Sequence, residues 1–591
     1  MAGQMRRDDE LQWYEAIRRF TLELVSIKAI SPSEEETRVA EAVARLLGED
    51  GLADAYTALG LDAIEGDPYH RCNAYALVRG QSARTVVLLG HIDTVGTGDY
   101  GRLEPFALDP EELDRRRAEL MAMTPGLADD LADPLSGHDW LLGRGVNDMK
   151  GGVAINIALM RRAAELARHG RARGPSDQRE RECGNPETAS ARPRRGGQLP
   201  LSLVLLAPCD EENESAGVLQ GVQLLLKLKQ QYGLEYLGVI NTDYTTSRYP
   251  RDPHRYAYTG TIGKLLPSFL VIGKEAHVGE PFQGIDANLL AAELIADLSM
   301  NPALCDVLGE QSTPPPVTLH ATDLKANYDV QLPFAAYFYL NVLTLTTTPA
   351  ELLERLRERA GAALARVLAR VDEAEARWSG AEPTTRRAGV VLSYAELLAL
   401  AVEKQGSERV QQALREEWDS SLTGPDGRVR DARERCLRLT YALWRLSEQH
   451  GPLVILYYSP PYYPHLAKRD GPLQSAVEAI AAAHPDLRLL VEEFYPFLSD
   501  MSYLRLDPAV DLAALTTNLP LWQEWEALPT PGAYRLPLRA VQALNAPFVN
   551  IGPYGRGAHQ RGERVLLSYS FATLPQLICE IIDDLAQRTG D

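Results

Sequence analysis

The sequence predicts an α/β fold in which a mostly parallel sheet, with helices on both faces, is interrupted by a smaller α+β domain. Four short runs of consecutive apolar residues support the sheet, because such runs are typical of strands buried in a parallel sheet. Helical stretches separate several of these runs, which favours an α/β layout. The runs are TVVLLG at 85–90, LSLVLLA at 201–207, YLGVIN at 236–241 and PFVNIG at 547–552.

A change of pattern between about 258 and 380 predicts the smaller domain. Two strand-like runs, KLLPSFLVIG and FAAYFYLNVLTL, each lead into a helical stretch, which indicates a separate domain inserted into the first. The predicted boundaries are 1–257 for the first part of the larger domain and 258–380 for the inserted domain. The second part of the larger domain covers 381–591 and includes a helical insertion at about 381–450.

The N-terminal region predicts two helices. Apolar residues at helical spacing predict the first over residues 11–27, and the SPSEEE segment that follows supplies a Ser33/Glu36 capping box for the second. Further along, a Gly-, Pro-, Ser- and Arg-rich stretch from about 167 to 198 is expected to be a flexible surface insertion.

Length and composition exclude several classes of function. At 591 residues the chain exceeds what one core usually supports, and 45% hydrophobic with 24% charged residues is typical of globular proteins. The net charge of -20 disfavours a nucleic-acid partner, which needs a basic surface. Neither a membrane span nor a secretory signal is visible, so we expect no membrane association and a cytoplasmic location. Six widely spaced cysteines without a C-x-x-C pair argue against a disulfide scaffold or a structural zinc finger.

Acids and histidines follow each of the four predicted strands, at the edge where open α/β sheets bind ligands. Taken alone, a DEE run is usually a solvated helix face, but here it directly follows a buried strand. Asp148, in GRGVNDMKGG, lies at the start of a predicted helix within reach of the same edge. The residues that follow the strands are His91 and Asp93, then Asp210, Glu211 and Glu212, then Asp243, and finally His559.

Imidazole and carboxylate ligands without thiolate suit zinc or a similar divalent first-row metal. Five such ligands fit two metals that share one bridging carboxylate. Each piece alone also has an ordinary explanation, with Asp148 as a helix cap and His559 as a loop histidine, and only their joint placement favours a metal site. Asp93 is positioned to hold the second nitrogen of the His91 imidazole. Glu211 is positioned to act as general base toward a water that the metals activate.

Five motifs, in order, resemble the dinuclear zinc hydrolases that include aminoacylase, glutamate carboxypeptidase, acetylornithine deacetylase and succinyl-diaminopimelate desuccinylase. They are GHIDTV, GRGVNDMKGG, DEENESAG, GKEAHVGEPFQGIDAN and GAHQRGE, and they span residues 90–563. The resemblance implies a catalytic α/β domain interrupted by a ferredoxin-like lid or dimerisation domain. It also implies hydrolysis of an amide or peptide bond in a small substrate by two divalent metal ions, zinc first, with cobalt and manganese as alternatives.

The resemblance further implies a role for individual residues. It assigns one metal to His91, Asp148 and Asp243, and the other to Asp148, Glu212 and His559. Catalysis is assigned to Glu211 as the base, to Asp93 beside His91, and to His277 as the lid histidine that stabilises the oxyanion. Substrate contacts are assigned to Asn288, Ser499 and Asp500. In this family the lid histidine often reaches into a partner's site. A homodimer through the lid domain is expected if His277 acts in that way, whereas the segment at 381–450 could instead cover the outer surface of the lid or supply another contact, so the oligomeric state stays open.

The segments LVILYYSPPYYPHL and FYPFLSDMSYL, together with the chain length, resemble the arginine-utilization branch of the family, a predicted deacylase of bacterial arginine catabolism. The departures concern the substrate. Many relatives carry an arginine shortly after the Ser-Asp pair and another in the lid strand, near Asn341 here, to grip a substrate carboxylate, and this chain has neither. Either another residue such as Arg505 replaces them or the substrate carries no carboxylate there, and the acidic surroundings would tolerate a basic substrate.

Three functions stay open on the sequence. They are a deacylase of small N-acylated compounds, a dipeptidase or aminopeptidase with the same site, and a non-catalytic metal-binding protein on the same fold. The presence of Glu211 and of every ligand type argues against the last. The sequence contains no G-x-S-x-G and no phosphate-binding loop, and acids next to Cys209 would raise the pKa of its thiol, which disfavours a serine or cysteine nucleophile.

Overall fold

The computed structural model describes residues 7–132, 139–172, 199–381, 387–506, 510–525, 527–528 and 530–589. The strands are β1 (Ala58–Ala63), β2 (Cys72–Val78), β3 (Arg84–Leu89), β4 (Trp140–Leu142), β5 (Ser202–Ala207), β6 (Glu235–Asn241), β7 (Arg255–Thr261), β8 (Gly263–Ile272), β9 (Val307–Leu308), β10 (Gln311–Ser312), β11 (Val317–Asp323), β12 (Ala335–Thr344), β13 (Val390–Ser393), β14 (Leu453–Tyr463), β15 (Leu489–Tyr495), β16 (Phe548–Asn550), β17 (Gly555–Arg556) and β18 (Arg564–Leu566). The helices are α1 (Arg7–Ser26), α2 (Glu36–Gly48), α3 (Pro110–Arg115), α4 (Arg117–Met123), α5 (Leu127–Ala132), α6 (Lys150–Ala172), α7 (Ala216–Tyr232), α8 (Ala287–Leu298), α9 (Pro349–Ser379), α10 (Tyr394–Gln405), α11 (Ser407–Ser421), α12 (Ala432–Ser447), α13 (Pro472–Ala483), α14 (Ala513–Thr517), α15 (Leu538–Leu544) and α16 (Leu574–Arg588). Most of the surface insertion expected at about 167–198 lies outside the described residues.

The chain divides into two compact units. Unit 1 comprises Met1–Thr261, Ala467–Leu506 and Pro537–Asp591, and unit 2 comprises Ile262–Leu466 and Asp507–Leu536. Unit 2 is larger than the inserted domain expected at 258–380, because the helical segment at 381–450 belongs to it. The reason is that β13, just before α10, pairs in parallel with β14, and α10 and α12 pack on β14 in the same sheet.

The sheet of unit 1 has eight strands in the order β1-β2-β5-β3-β6-β16-β7-β15. Its central strands β5, β3, β6 and β16 run parallel to one another, whereas β1 and β2 pair antiparallel at one side. These central strands are the four apolar runs of the sequence, so the predicted α/β fold class is confirmed. Because they are parallel, their carboxyl ends meet at one edge.

Both faces of this sheet are covered, which explains why its central strands are continuously apolar. Every residue of β5 is buried. Leu203 and Leu205 join a core cluster with residues of α1, α2, α6 and α16, whereas Leu206 lies against Gly221 of α7. Alternate residues of one strand therefore pack on opposite layers of helices.

The second predicted helix, α2, begins at Glu36, but the predicted capping box is only half formed. The Glu36 carboxylate accepts the Ser33 N–H at 2.8 Å, while no side chain caps the helix in return. The other Glu36 oxygen accepts the backbone N–H of Asp210 at 2.8 Å. The Glu36 side chain thus ties the start of α2 to the loop that follows β5.

Unit 2 contains a five-stranded sheet in the order β11-β12-β8-β14-β13. Helices α8 and α9 pack on each other, and both contact strands of this sheet. Helix α9 begins with a complete capping box between Thr348 and Glu351, with Pro349 in the first turn, and ends before Gly380. Among the described helices of either unit, none has the length and apolar character needed to cross a bilayer.

Candidate metal centre

The predicted site residues of unit 1 lie at the carboxyl edge of its parallel strands. His91 and Asp93 follow β3, the acidic run follows β5, and Asp243 follows β6. His559 lies in the loop between β17 and β18, and Asp148 immediately precedes the helix α6. The strand ends deliver these residues to one place because the strands are parallel neighbours.

Asp148 lies between two histidines. Its Oδ1 is 3.2 Å from Nε2 of His91, and its Oδ2 is 3.1 Å from Nε2 of His559. The same His559 nitrogen lies 3.0 Å from Oε1 of Glu212. The potential ligand atoms of His91, Asp148 and Asp243 lie within 4.8 Å of one another, and so do those of Asp148, Glu212 and His559. These two groups are the two ligand sets that the resemblance implies, and they share Asp148.

The Asp93 carboxylate is fully buried and has three partners. Its Oδ1 lies 3.4 Å from Nδ1 of His91 and accepts the Glu211 N–H at 3.1 Å, while its Oδ2 accepts the Glu212 N–H at 3.0 Å. Burial alone would raise the pKa of Asp93, but the hydrogen bonds with His91 and with the two backbone groups hold it below its usual value. One carboxylate thus orients the imidazole and fixes the backbone of both acids.

Glu211 faces the same cluster as its neighbour Glu212. Its Oε2 lies 3.8 Å from Nε2 of His91, and the side chain is about nine-tenths buried. Burial, together with the charges of Glu212, Asp500 and Asp243, raises the pKa of Glu211 well above its usual value, although His91 opposes the shift. The potential ligand atoms of His91, Glu211 and Glu212 lie within 4.8 Å of one another, so Glu211 is placed to exchange a proton with a group bound at the cluster.

Asp243 is fixed by backbone and side-chain contacts. Its Oδ1 accepts the Tyr244 N–H at 2.8 Å, and its carboxylate is hydrogen-bonded to the side chain of Ser499. Burial and the charge of Asp148 raise the pKa of Asp243 to about 7. The Ser499 hydroxyl also accepts a hydrogen bond from Asn241 at 3.2 Å. In this arrangement Ser499 supports Asp243, and its predicted contact with substrate stays a prediction.

The number of carboxylates in the cluster indicates whether its residues fit a metal ion. The carboxylates that converge here belong to Asp93, Asp148, Glu211, Glu212, Asp243 and Asp500. Burial and mutual repulsion raise the pKa of several of them, and carboxylates in such a site are neutralised by protons or by bound cations. Imidazole and carboxylate donors in two groups with a shared bridge match the ligand chemistry of divalent first-row metals. The residues therefore fit two divalent cations.

Asp210, the first acid of the DEE run, belongs to a different network. It forms a buried ion pair with Arg71, which also pairs with Asp67 at 2.8 Å and lies 3.4 Å from Glu36. Asp210 Oδ2 accepts the N–H of Ala216 at the start of α7, at 3.1 Å. The run of three acids is thus split between an ion-pair network at Asp210 and the metal cluster at the next two positions.

Sequence reasoning gave no role to Arg71 and only a capping role to Glu36. No local pattern links either residue to Asp210, from which they are 139 and 174 residues away. Glu563 was also missed, although it stands in the motif GAHQRGE four residues after His559. Its position within that motif was the signal that could have singled it out.

His277 and Asn288 belong to unit 2, on the segment that connects β8 with α8 and in the first turn of α8. The Nδ1 of His277 accepts the Gly279 N–H at 3.0 Å, and the side chain is exposed. Asn288 donates from Nδ2 to Asp323 at 3.0 Å. Their predicted roles toward a substrate stay predictions.

Comparisons with known proteins identify the family. No protein-family model matches the chain. The uncharacterized protein YqjN of Bacillus subtilis (strain 168) is 31% identical over 521 residues, which cover 87% of this chain and 86% of YqjN. Protein RocB of the same organism is 30% identical over 541 residues, which cover 89% of this chain and 87% of RocB. The chain belongs to the family of RocB and YqjN.

This membership confirms the resemblance to RocB-like proteins that the two segments and the chain length predicted. Among solved structures, the di-peptidase Dug1p from Saccharomyces cerevisiae is similar with a TM-score of 0.49 and 12% identity, covering 98% of this chain and 99% of that chain. That likeness is too distant to inform on function.

Proposed function

We propose that unit 1 of this RocB family member hydrolyses a C–N amide or peptide bond of a small substrate with two divalent metal ions. The observation that carries the proposal is the sharing of Asp148 by two ligand groups, with Glu211 beside them. A non-catalytic metal-binding protein would need the shared carboxylate but would have no use for a further buried acid at Glu211.

In the proposed centre, His91, Asp148 and Asp243 would hold one cation, and Asp148, Glu212 and His559 the other. Cations held there would polarise the scissile carbonyl and lower the pKa of an attacking water toward ~7. Zinc is the first choice, with cobalt and manganese as alternatives, because the donors are imidazole and carboxylate alone.

Glu211 is the proposed general base and proton shuttle. Its carboxylate takes a proton from the attacking water as the oxygen adds to the carbonyl carbon. It then gives that proton to the amide nitrogen as the C–N bond breaks, which regenerates the carboxylate and releases an acid and an amine. Asp93 would keep the His91 imidazole oriented throughout, through the 3.4 Å contact with its Nδ1.

For the substrate, we propose a small N-acylated compound with a basic group, arginine-related amides included, and a dipeptide as the alternative. The excess of carboxylates around the centre supports a basic group, and the missing guanidinium groups make a gripped substrate carboxylate less favourable. Contacts of Asp500, Ser499, Asn288 and His277 with the substrate, a homodimer through unit 2 and a cytoplasmic location remain parts of this proposal.

The test is hydrolysis of N-acyl amino acids, dipeptides and arginine amides by metal-loaded protein. Wild-type protein should cleave at least one class. Glu211→Gln should lose turnover by about 10²–10⁴-fold while retaining bound metal, because it removes the base and leaves the ligands in place. Turnover by Glu211→Gln at the wild-type rate would overturn the role of Glu211. Metal-loaded wild-type protein that cleaves none of the panel would contradict the proposed substrate class.

A further inference from the structure

The side chain of Glu563 is completely buried between the loop that carries His559 and the turn that carries Asp148. Its Oε1 accepts three backbone N–H groups of that turn, from Gly145 at 2.8 Å and from Asn147 and Asp148 at 3.2 Å each. Backbone N–H groups of one turn that point at a single oxygen form an anion-binding nest, and here the carboxylate of Glu563 is the anion.

The second oxygen of Glu563 pairs with Nη1 of Arg144 at 2.8 Å, and the Arg144 side chain is itself buried. Arg144 also contacts Asp99 at 2.8 Å and the carbonyl oxygen of Gly96 at 3.2 Å. The guanidinium, which belongs to the same segment as the turn, therefore fixes the second oxygen of the carboxylate while the turn holds the first.

The backbone of Glu563, like its side chain, is bonded to the segment that contains the Asp148 turn. The carbonyl oxygen of Glu563 accepts the Gly143 N–H at 3.0 Å, and β18, which begins directly after Glu563, pairs antiparallel with β4. Gly145 has a φ of +81°, a conformation that residues with a side chain rarely adopt, and it lets the chain turn so that its N–H groups converge. The turn thus depends on an acceptor at its centre.

The two ligand sets depend on this arrangement to different degrees. Asp148 ends the turn and belongs to both sets, whereas His559 lies in the Glu563 loop and belongs only to the set with Glu212. A change at Glu563 therefore reaches two of the three ligands of the second set but only one ligand of the first.

We propose that Glu563 is a positioning residue that joins the Asp148 turn to the His559 loop and thereby sets the affinity of the second metal set. The inference rests on the proposed metal centre, and it concerns binding rather than chemistry. Removing an outer partner of metal ligands typically lowers metal affinity about 10- to 100-fold. Here the loss should fall on one of two sites.

The test is a calorimetric titration of zinc into metal-free wild-type protein and Glu563→Gln, with chelator competition for tight sites. Glutamine keeps the size of the side chain but loses the charge that faces Arg144 and the turn. The equivalent held by Asp148, Glu212 and His559 should bind about 10- to 100-fold more weakly in Glu563→Gln, so the affinity of one equivalent should fall while that of the other changes less. Equal affinities for both equivalents in the variant and in wild type would overturn the inference.

Asp252→Asn is the matched control. Asp252 is buried in unit 1 and also fixes a loop, accepting the N–H groups of Arg248 at 2.8 Å and His254 at 3.0 Å. It contacts none of the proposed ligands among its described partners, so its loss should lower stability and leave both metal affinities unchanged. A second-site loss in Asp252→Asn equal to that in Glu563→Gln would show a general loss of stability and overturn the inference.

Amide hydrogen exchange keeps the test decisive if Glu563→Gln fails to fold. In wild-type protein without metal, the amides of Gly145, Asn147 and Asp148 should already be protected, because their acceptor is a side chain of the protein. Exchange of all three at the rate of free peptide would overturn the inference. Protein that binds two metals asymmetrically as described but hydrolyses nothing would remove the proposed hydrolase and leave this inference standing.

Discussion

Replacing Arg71 with methionine should destabilise unit 1 strongly. The Arg71 side chain is only 4% exposed, and it pairs with the carboxylates of Asp67, Glu36 and Asp210, which are 0–2% exposed. Arg71→Met keeps much of the apolar stem but leaves these acids buried without their cation. Removal of one partner from a buried ion pair costs about 3–5 kcal/mol, mostly because the remaining charges stay desolvated.

The expected change in melting temperature follows from the size of the unit. Unit 1 contains about 350 residues, and unfolding entropy is about 2.1 cal/mol/K per residue, or about 0.75 kcal/mol/K for the unit. A loss of about 3–5 kcal/mol therefore lowers the melting temperature by about 4–7 °C. Differential scanning calorimetry of wild type and variant measures it.

The control for Arg71→Met is Arg115→Met. Arg115 pairs with Glu112 at 2.6 Å, but its side chain is 72% exposed, so its loss should change stability by less than about 0.5 kcal/mol. Equal shifts in the two variants would refute the argument that burial, rather than the ion pair itself, determines the cost.

Three further outcomes are expected. Asp306 in unit 2 accepts the N–H groups of Leu345, Thr346 and Thr347, and although burial opposes the shift, these hydrogen bonds lower the pKa of Asp306 from 3.8 to about 2. Asp306→Asn should therefore cost about 1–2 kcal/mol near neutral pH. In denaturant titrations the difference from wild type should disappear as the pH falls from 3.8 through about 2, because the stabilisation requires the ionised carboxylate. A Cβ at Gly217 would overlap the carbonyl oxygen of Cys209, so Gly217→Ala should cost about 1–3 kcal/mol in thermal melts. An unchanged melt would show that α7 can move away from the loop. Free zinc at about 100 times its dissociation constant should stabilise the protein by about 2.7 kcal/mol per site in melts against chelator-treated protein, with no such gain if metal does not bind the folded state.

The strands that build the site were predictable, because a continuous apolar run is a local property of the sequence. Each of the strands β3, β5, β6 and β16 is such a run in the sequence. The acids and histidines that follow these runs indicated at which edge of the sheet the site lies. The choice between ligand and structural acid within one run was not predictable, since Asp210 is distinguished from Glu212 only by its distant partner Arg71.

The boundary of unit 2 also could not be predicted from local pattern. Helical periodicity indicates that α10, α11 and α12 are helices, but it does not tell which sheet they cover. The short strand β13 decides that question through its pairing with β14, which lies about 60 residues further along the chain. The extent of unit 2 therefore depends on contacts between segments that are far apart in the sequence, which local patterns do not reveal.

The most direct test of the dinuclear centre is metal stoichiometry, measured by elemental analysis of wild type, Glu212→Gln and Asp243→Asn after reconstitution and removal of free metal. In the proposed centre, each variant removes a ligand of one set, while Asp148 serves both. We expect two equivalents in wild type and one in each variant, with the two single-site variants retaining different sites. Wild-type protein that never exceeds one equivalent, or variants that keep two, would contradict a centre built on a shared Asp148.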